Sequence, residues 1–481
     1  MAVRARGYRN FALRSAFALG CVLVFSLSGA ADRLPWVALA LDAACAAFVV
    51  WRVITARTSA VYLLLWGPLA WLAPKTTAAA VFLFGGRKHG VLAAAKREVN
   101  RVARSLGGDP EAEGNRIRVL GDPEGSDTLR ELRTQILGAR RRIHISTYIL
   151  AEDRVGRELI GLLARRAKEG VAVRLLLDAV GSWGAPLTLC RTLRRVGGRV
   201  ARFNPVLPFQ GKGSANWRNH RKIAVFDGER AVIGGQNLGL DYMGDTPSPR
   251  RFRDCSFLIE GPAAGALEQV FIADWCQATD ESPSSHEALL RERPARAGTA
   301  RTEIVASGPD SLDDPLWDAY VRLFSSARRS ITVVTPYFVP DRMTFSLLLA
   351  AAQAGRHVRL IVPRRSDHRL VDFARRWHLR TFREAGGEVL FYGPGVLHAK
   401  LTLVDDESAV IGSANLDMRS LFLNYEVAAV VKDAAAVSEI KAYCDALASQ
   451  CGDYSEDLYR RSRTRMGRAI EAVSRVLAPL L

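Results

Sequence analysis

A nine-residue motif occurs twice in this chain, and the repeat limits the possible folds more than any other feature. The copies are NHRKIAVFD at residues 219–227 and LHAKLTLVD at residues 397–405. Each copy is followed at the same distance by a glycine and an asparagine, within AVIGGQN at 231–237 and AVIGSAN at 409–415. Two copies with matching tails indicate a tandem duplication of one structural unit.

The segments before the two motifs match each other as well. Each half has, in the same order, a strand, an amphipathic helix and an apolar strand, at 142–148, 157–168 and 171–177 in the first half and at 330–337, 344–354 and 357–362 in the second. Strands that alternate with helices are typical of α/β layers. We therefore predict two α/β halves with mixed, mostly parallel sheets and with helices outside.

The predicted boundaries place the first half at residues 117–285 and the second at residues 301–481. Residues 286–300 belong to a segment rich in Ser, Pro, Arg and Glu, and we predict that they form a linker. The second half ends in an amphipathic helix within residues 458–481. We predict that this helix packs against the second half, with membrane contact as the alternative.

The first 85 residues form a distinct apolar region that we predict to anchor the chain in a membrane. Apolar runs occupy residues 15–31, 34–51 and 60–84. The first run is at the short limit for a helix that spans a bilayer. Arginines precede the first run and follow the second, which favours a hairpin of two transmembrane helices with both ends in the cytoplasm. A signal peptide, cleaved near the small residues 28–30, is the alternative.

The third apolar run is predicted not to cross the membrane. Pro68, Pro74 and Lys75 interrupt it, and a basic linker at residues 86–116 follows it. Crossing would place these cations on the outer side, against the usual distribution of positive charge. We therefore predict that residues 60–84 are interfacial or re-entrant and that the globular part is cytoplasmic.

The net charge indicates the class of partner, and the cysteine spacing indicates the redox state of the thiols. The chain has 67 Lys and Arg against 49 Asp and Glu, a formal charge of +18. This excess suits an anionic partner, either a nucleic acid or an acidic lipid surface. The seven cysteines include no C-x-x-C pair. We therefore predict reduced, mostly buried thiols rather than metal ligands.

The chemistry of the motif follows from its predicted strand–turn–strand shape. His220 and Lys222 are two residues apart and share one face of a strand, as do His398 and Lys400. The asparagines of the tails, Asn237 and Asn415, fall near the histidine end of each hairpin.

Two facing halves would therefore bring two imidazoles, two ammonium groups and two amides to one site. This set lacks the carboxylate cluster or Cys/His spacing of a metal centre, so we predict no metal and no other cofactor. Two lysines can neutralise a phosphate in place of a metal ion. One neutral histidine can attack phosphorus while the other, protonated, donates its proton to the leaving alcohol.

The paired H-x-K-x4-D motifs resemble those of the phospholipase D superfamily. The wider context resembles the bacterial cardiolipin synthase branch of that superfamily over residues 117–481. The segments that carry the resemblance are 217–222, 234–242, 307–310, 335–340, 412–420 and 423–426. This chain departs from that branch in two ways. It has Arg-Asp-Cys at residues 253–255, where the branch usually has other residues, and its membrane segment is longer than usual.

The resemblance implies a ping-pong transfer through a phosphatidyl-histidine intermediate. A first phosphatidylglycerol gives up glycerol, and a second phosphatidylglycerol accepts the phosphatidyl group to make cardiolipin. His220 matches the nucleophile, and His398 matches the general acid that later acts as base. Lys222, Lys400, Asn237 and Asn415 match the phosphate-binding set. Asp254 and Glu426 match carboxylates that hydrogen-bond the other nitrogen of a motif histidine and so fix its tautomer.

The candidate catalytic set thus contains both complete motifs, with Asp227 and Asp405 as their third members. An aspartate in a tight turn is often structural, so we expect these two aspartates to brace the motif by hydrogen bonds rather than to touch substrate.

The resemblance also implies a phospholipid partner and a place in the cell. We predict an anionic phospholipid substrate, phosphatidylglycerol, a multi-pass protein of the bacterial inner membrane, and no nucleic-acid partner. Two other functions stay open: hydrolysis, with water as acceptor in place of a lipid alcohol, and cleavage of nucleic acid, which the N-terminal apolar runs disfavour. The sequence does not indicate which oligomeric state the protein adopts.

Overall fold

The computed structural model describes residues 35–55, 60–84, 98, 101–102, 111–184, 188–205, 216–311, 313–454, 456 and 464–477. The N-terminal part contains the helices α1 Pro35–Thr55, α2 Ala60–Leu72 and α3 Pro74–Phe84. They pack around one small apolar cluster, and Lys75 of α3 forms an ion pair with Asp42 of α1 at 3.4 Å.

The predicted membrane spans have different outcomes in this region. The run at residues 15–31 lies outside the described residues, whereas the run at 34–51 corresponds to α1. In the part of the chain that the structure describes, no helix has the length and apolar character needed to cross a membrane. The third run forms two helices that meet at Ala73, because Pro74 begins a new helix there.

The first half follows in the order expected for an α/β unit, and β1 begins inside the segment predicted as a basic linker. Its elements are β1 Glu111–Leu120, α4 Ser126–Gly138, β2 Arg142–Thr147, α5 Arg154–Lys168, β3 Ala172–Asp178, α6 Leu189–Arg195, β4 Arg199–Phe203, β5 Ile223–Phe226, β6 Arg230–Gly234, β7 Ser256–Glu260 and α7 Pro262–Thr279. The segment predicted as a linker between the halves carries a 3₁₀ turn, Pro283–His286, and the short helix α8, Glu287–Arg291.

The second half repeats this order. Its elements are β8 Ala300–Ser307, α9 Pro315–Ser326, β9 Ser330–Val334, β10 Phe338–Val339, α10 Arg342–Gln353, β11 His357–Pro363, α11 Arg369–Glu384, β12 Glu388–Tyr392, β13 Leu401–Val404, β14 Ser408–Gly412, β15 Leu416–Asp417, α12 Met418–Phe422, β16 Glu426–Lys432, α13 Ala434–Ala448, β17 Cys451–Gly452 and α14 Arg465–Leu477.

Both halves contribute to one continuous sheet, which has fifteen strands among the described residues. The strand order is β17-β12-β11-β9-β13-β14-β16-β8-β1-β7-β6-β5-β2-β3-β4. The halves join where β8 pairs with β1 in antiparallel fashion. From this seam outward the two halves have the same order, so the sheet is organised about an approximate two-fold axis.

The prediction of a mostly parallel sheet is wrong. Parallel pairing is confined to β2-β3-β4 and β9-β11-β12, and the other neighbouring pairs of the large sheet are antiparallel. The reason is the motif itself, because each copy adds a hairpin, β5-β6 or β13-β14, followed by an antiparallel return strand. Turns this short can join only antiparallel strands.

Helices cover both faces of the sheet, as predicted. On one face α7 and α13 share an apolar core with strands of both halves. On the other face each half has a separate core, under α4–α6 in the first half and under α9–α11 in the second. Strand β5 shows the alternation: Ile223 and Val225 enter the shared core, whereas Ala224 and Phe226 enter the core of the first half.

The last described helix, α14, lies against α11 by its polar side. Arg380 of α11 makes two hydrogen bonds of 2.7 and 2.8 Å to buried Glu471 of α14. Met466 of α14 is 71% exposed. This ion pair contributes to the contact between the two helices. Of the six cysteines described, all are free thiols and five are buried.

Candidate active site

The two motif histidines lie at the same edge of the sheet. His220 precedes β5, whose first residue Ile223 pairs with Ser146 near the carboxyl end of β2. His398 precedes β13, whose first residue Leu401 pairs with Val334 at the carboxyl end of β9. Ligand sites in α/β folds form at the carboxyl ends of parallel strands, and both histidines lie at such an end.

Each motif is attached to the opposite half through its backbone. The N–H of His220 donates to the carbonyl of Tyr425 at 2.9 Å, and the N–H of His398 donates to the carbonyl of Arg253 at 2.7 Å. Isolated parallel bridges, Asn219 with Tyr425 and Arg253 with Leu397, accompany these bonds. The two motifs therefore meet at the seam between the halves.

The carboxylates that orient the histidines also come from the opposite half. Nδ1 of His220 lies 2.9 Å from Oε1 of Glu426, and Nδ1 of His398 lies 2.6 Å from Oδ2 of Asp254. A carboxylate accepts a hydrogen bond, so the proton of neutral His220 resides on Nδ1, whereas Nδ1 of His398 also lies 2.6 Å from Nζ of Lys400. The lone pair of Nε2 of His220 is then free to act as nucleophile or base.

Burial controls the protonation of both histidines. It lowers the pKa of His220 to about 4, against the opposing attraction of Glu426. Burial and the charge of Lys400 likewise lower the pKa of His398, although Asp254 opposes them. Burial alone would raise the pKa of Glu426, but the nearby His220 holds it below its usual value. Both imidazoles are thus neutral at pH 7 with ionised carboxylates behind them.

The two lysines are buried beside the histidines. Nζ of Lys222 donates to the carbonyl of His220 at 2.8 Å, and Nζ of Lys400 lies 3.8 Å from Oδ2 of Asp254. Burial lowers the pKa of both lysines, and each lowers the pKa of the opposite motif's histidine by its charge. An anionic group bound between them would offset this repulsion and favour their charged forms.

The two asparagines are buried near the histidines but are not equivalent. Oδ1 of Asn237 accepts a hydrogen bond from the N–H of Ile149 at 3.1 Å. Nδ2 of Asn415 donates to Asp417 at 3.1 Å, while Oδ1 of Asn415 is buried without a hydrogen-bond partner in the described structure. Each asparagine therefore uses one atom of its side-chain amide for a hydrogen bond within the protein.

Asp227 and Asp405 lie at the far end of the hairpin from the histidines. Asp227 accepts from the backbone N–H groups of Arg140, Arg141 and Arg142 at 2.7–2.9 Å. Asp405 accepts in the same way from residues 328–330 at 2.7–2.8 Å. Both aspartates have left-handed backbones, with φ of 54° and 56°. They tie the motif turn to the loop before β2 or β9, which is the bracing role expected for them.

Sequence reasoning missed Arg221, which lies within the first motif. Its side chain is fully buried, donates to the carbonyl of Glu426 at 3.0 Å and to that of Ser307 at 2.9 Å, and forms an ion pair with Asp274. The two-residue period of an extended segment was a usable signal, because it directs Arg221 away from the face of His220 and Lys222 and into the protein.

Aromatic side chains around the histidines were also missed. The ring of His398 lies 5.4–5.5 Å from Tyr242 and Phe252 and 6.5 Å from Tyr337. The ring of His220 lies 5.3 Å from Tyr148. No spacing in the sequence indicates these contacts, since the rings come from three different connections, with Tyr242 and Phe252 in the one between β6 and β7.

The family of the chain emerges from comparison with known proteins. A family model described as "Cardiolipin synthase, PLD-like domain" matches residues 132–275 and 320–448. A cardiolipin synthase of Geobacillus sp. is 36% identical over 396 residues, which cover 80% of this chain and 76% of that protein. A cardiolipin synthase of Alkalihalophilus pseudofirmus is 35% identical over 395 residues, covering 79% and 75%.

A solved structure supports the fold independently. The phosphatidylserine synthase of Haemophilus influenzae superposes with a TM-score of 0.59 at 15% identity, over 79% of this chain and all of that one. At this identity the likeness shows the fold alone, which is phospholipase D-like. Together with the matched family model and the relatives, it leads to one conclusion: the chain belongs to the phospholipase D-like cardiolipin synthase family.

Proposed function

We propose that this chain is a phosphatidyltransferase that makes cardiolipin from two phosphatidylglycerol molecules and releases glycerol. One observation carries the proposal: two His–Lys pairs, one from each half and buried apart from the partly exposed His220, meet at a single seam with a carboxylate behind each histidine. The relatives of this chain that are named cardiolipin synthase support the choice of substrate.

The first half-reaction transfers the phosphatidyl group to the enzyme. The donor phosphate lies between Lys222 and Lys400, which neutralise its charge. Nε2 of His220 attacks phosphorus, forming an N–P bond as the P–O bond to glycerol breaks. His398, protonated once the anionic phosphate is bound, gives its Nε2 proton to the departing glycerol oxygen. The product is a phosphatidyl-histidine and a neutral His398.

The second half-reaction runs this chemistry in reverse with a different alcohol. A glycerol hydroxyl of the second phosphatidylglycerol attacks phosphorus while neutral His398 takes its proton. The N–P bond breaks and returns neutral His220. Glu426 accepts a hydrogen bond from the Nδ1–H group of His220 throughout the cycle. Nε2 of His220 therefore stays directed at phosphorus. Asn237 and Asn415 complete the set of groups around the phosphate.

The decisive experiment identifies the products of the purified protein. Full-length protein in detergent is incubated with phosphatidylglycerol, with and without phosphatidylethanolamine, and the lipids are analysed by mass spectrometry. Cardiolipin and glycerol are expected. Phosphatidic acid would instead indicate hydrolysis, and an absence of lipid turnover would overturn the proposal and return attention to nucleic acid.

Variants of the two histidines test the assigned roles. His220→Ala and His398→Ala are each expected to lower transfer by about 10³-fold or more. With ³²P-labelled phosphatidylglycerol, acid-trapped protein-bound label should disappear in His220→Ala. Charge changes at Arg291 or Arg296, outside the site, serve as controls and should leave transfer intact. Full activity in either histidine variant would contradict the mechanism.

The N-terminal region is proposed to anchor the enzyme to a bacterial inner membrane and to leave the catalytic part in the cytoplasm. The outward faces of α1 and α2 support this, because Trp36, Leu39 and Trp71 are 70–83% exposed. Large apolar side chains with this exposure suit contact with lipid. The full chain should remain in the membrane pellet after alkaline carbonate extraction, and its release would oppose an integral anchor.

A further inference from the structure

Within residues 111–454, large exposed apolar side chains are concentrated at one edge of the sheet, and the exposed Met466 and Ile470 belong to α14 outside that range. In the described part of residues 111–454, five such side chains are more than a third exposed: Leu137, Val180, Trp183, Met343 and Leu370. All except Leu137 follow the carboxyl ends of strands, the edge that also carries the motif histidines. Single exposed apolar residues are ordinary on protein surfaces, but this distribution is not scattered.

The first-half members are linked to the site by a short chain of contacts. Val180 and Trp183 belong to the loop after β3, and Trp183 is 70% exposed. Between them, Ser182 donates from Oγ to the carbonyl of Tyr148 at 2.8 Å. The ring of Tyr148 lies 5.3 Å from that of His220. The exposed indole is therefore next to a segment that borders the first motif.

The second-half members have the same relation to the second motif. Leu370, 53% exposed, is at the start of α11, and its neighbour Val371 packs against Tyr337. Tyr337 also donates to Asp367 at 2.7 Å, and its ring lies 6.5 Å from that of His398. Met343, 47% exposed, is at the start of α10, which follows β10. β10 pairs with β15 directly after Asn415.

Exposed cations accompany these apolar residues. Arg342 precedes Met343 in the chain, Arg369 precedes Leu370, and Arg365 lies in the same loop as Asp367; all three arginines are exposed. Apolar side chains that insert among lipid headgroups, with arginines beside them, match the chemistry of an anionic bilayer. A second copy of this chain, with its formal charge of +18, would lack this general negative charge.

We propose that Val180, Trp183, Met343 and Leu370 form a rim surface that docks the open edge of the site onto an anionic phospholipid bilayer. This surface acts in addition to any tether by the N-terminal region and brings the His–Lys pairs to the headgroups. The inference rests on the proposed function insofar as it takes phospholipid as the substrate of the site.

Depth measurements test the rim surface without requiring turnover. Trp183→Cys and Leu370→Cys, with Leu137→Cys as the control, are made in the full chain, labelled with a nitroxide and reconstituted into vesicles of phosphatidylglycerol and phosphatidylcholine. Unmodified protein labelled in parallel supplies the background of native thiols. Collision rates with oxygen and with a water-soluble nickel chelate should place labels 183 and 370 in the bilayer and label 137 in water.

Two outcomes would overturn the proposal. Labels at 183 and 370 that stay as accessible to nickel as label 137 would mean that the N-terminal tether alone holds the enzyme. Labels that become shielded without vesicles as protein concentration rises would assign the surface to a second copy of the chain.

An activity ratio gives an independent test and separates this inference from the proposed function. Rates are compared on phosphatidylglycerol vesicles and on short-chain phosphatidylglycerol dispersed below its micelle concentration. The ratio of the two should fall at least tenfold in Trp183→Ser/Leu370→Ser and keep the wild-type value in Leu137→Ser. An unchanged ratio in the double variant would contradict the rim surface. Wild-type protein inactive on both lipids would contradict the proposed function and leave the depth result standing.

Discussion

The two halves carry the same motif but differ at the residue between histidine and lysine. This residue is Arg221 in the first half and Ala399 in the second, and both are fully buried. Arg221 ties the first motif to backbone carbonyls of β16 and β8 and to Asp274 of α7. Ala399 instead packs in the apolar core shared by the halves. The face that carries the histidine and the lysine is thus the same in both halves, whereas the buried face differs.

The carboxylates behind the histidines differ in a matched way. Glu426, on the His220 side, accepts a hydrogen bond of 2.5 Å from Ser413. Asp254, on the His398 side, is one methylene shorter and lies against Gly235. A Cβ at Gly235 would be 2.6 Å from Oδ2 of Asp254, closer than atoms in contact allow. The longer side chain, Glu426, is paired with a serine, and the shorter one, Asp254, is paired with a glycine. The space behind the histidine is therefore filled differently in the two halves.

Removing either carboxylate charge should have the largest effect on activity. Asp254→Asn and Glu426→Gln keep the side-chain shape but no longer fix the histidine tautomer, and the turnover number is expected to fall about 10²–10⁴-fold in each. The test is the initial rate of cardiolipin formation, with the midpoint of thermal unfolding as the control for folding. If one substitution proved silent, only one histidine would depend on its cross-half partner.

Replacing Arg221 by alanine, the residue at the matching position of the second motif, should chiefly lower the free energy of unfolding. Arg221→Ala leaves Asp274 buried without the guanidinium that pairs with it, and such losses typically cost about 3–5 kcal/mol of unfolding free energy. Urea denaturation followed by tryptophan fluorescence measures the change. Adding Asp274→Leu to Arg221→Ala should recover part of it. A loss below about 1 kcal/mol would show that the halves are held together by other contacts.

Exchanging the small residues behind the carboxylates should give unequal results. Gly235→Ser places a Cβ against Asp254 and is expected to displace His398, lowering activity about 10²-fold. Ser413→Gly removes one hydrogen bond to Glu426 and should lower activity less than tenfold. Steady-state rates of the two variants, compared at matched folded fraction, measure the difference. Equal effects would mean that the two sides of the site are less distinct than their geometry indicates.

The sequence was sufficient for the parts of this architecture that repeat. It predicted two α/β halves, the strand–turn–strand motif and the pairing of His220 with Lys222, because these depend on local periodicity. It did not predict which carboxylate serves which histidine: Glu426 orients His220 and Asp254 orients His398, and such exchange depends on the packing of one half against the other. The prediction of mostly parallel strands failed because hairpins and return strands, rather than helical crossovers, form most of the strand pairs in the sheet.

The protonation of His220 gives the smallest but most diagnostic prediction. The unfolded imidazole titrates near pH 6.5 and the folded one at about 4, because burial disfavours the charged form. The unfolded chain therefore binds more protons between these values, so this group's contribution to stability is complete above pH 6.5 and is lost as pH falls toward 4. Between pH 7 and pH 5 the loss amounts to about 2 kcal/mol.

The His220→Gln variant isolates this contribution. Other buried histidines, including His398, have a lowered pKa as well and add to the pH dependence of both proteins. The difference between wild type and His220→Gln in unfolding free energy, measured at pH 7 and pH 5, should therefore shrink by about 2 kcal/mol at the lower pH. An unchanged difference would mean that folding leaves the pKa of His220 at its unfolded value, and a difference that grows at pH 5 would mean that His220 is protonated in the free enzyme. The nucleophile would then have to be sought in His398, and the roles of the two halves would be reversed.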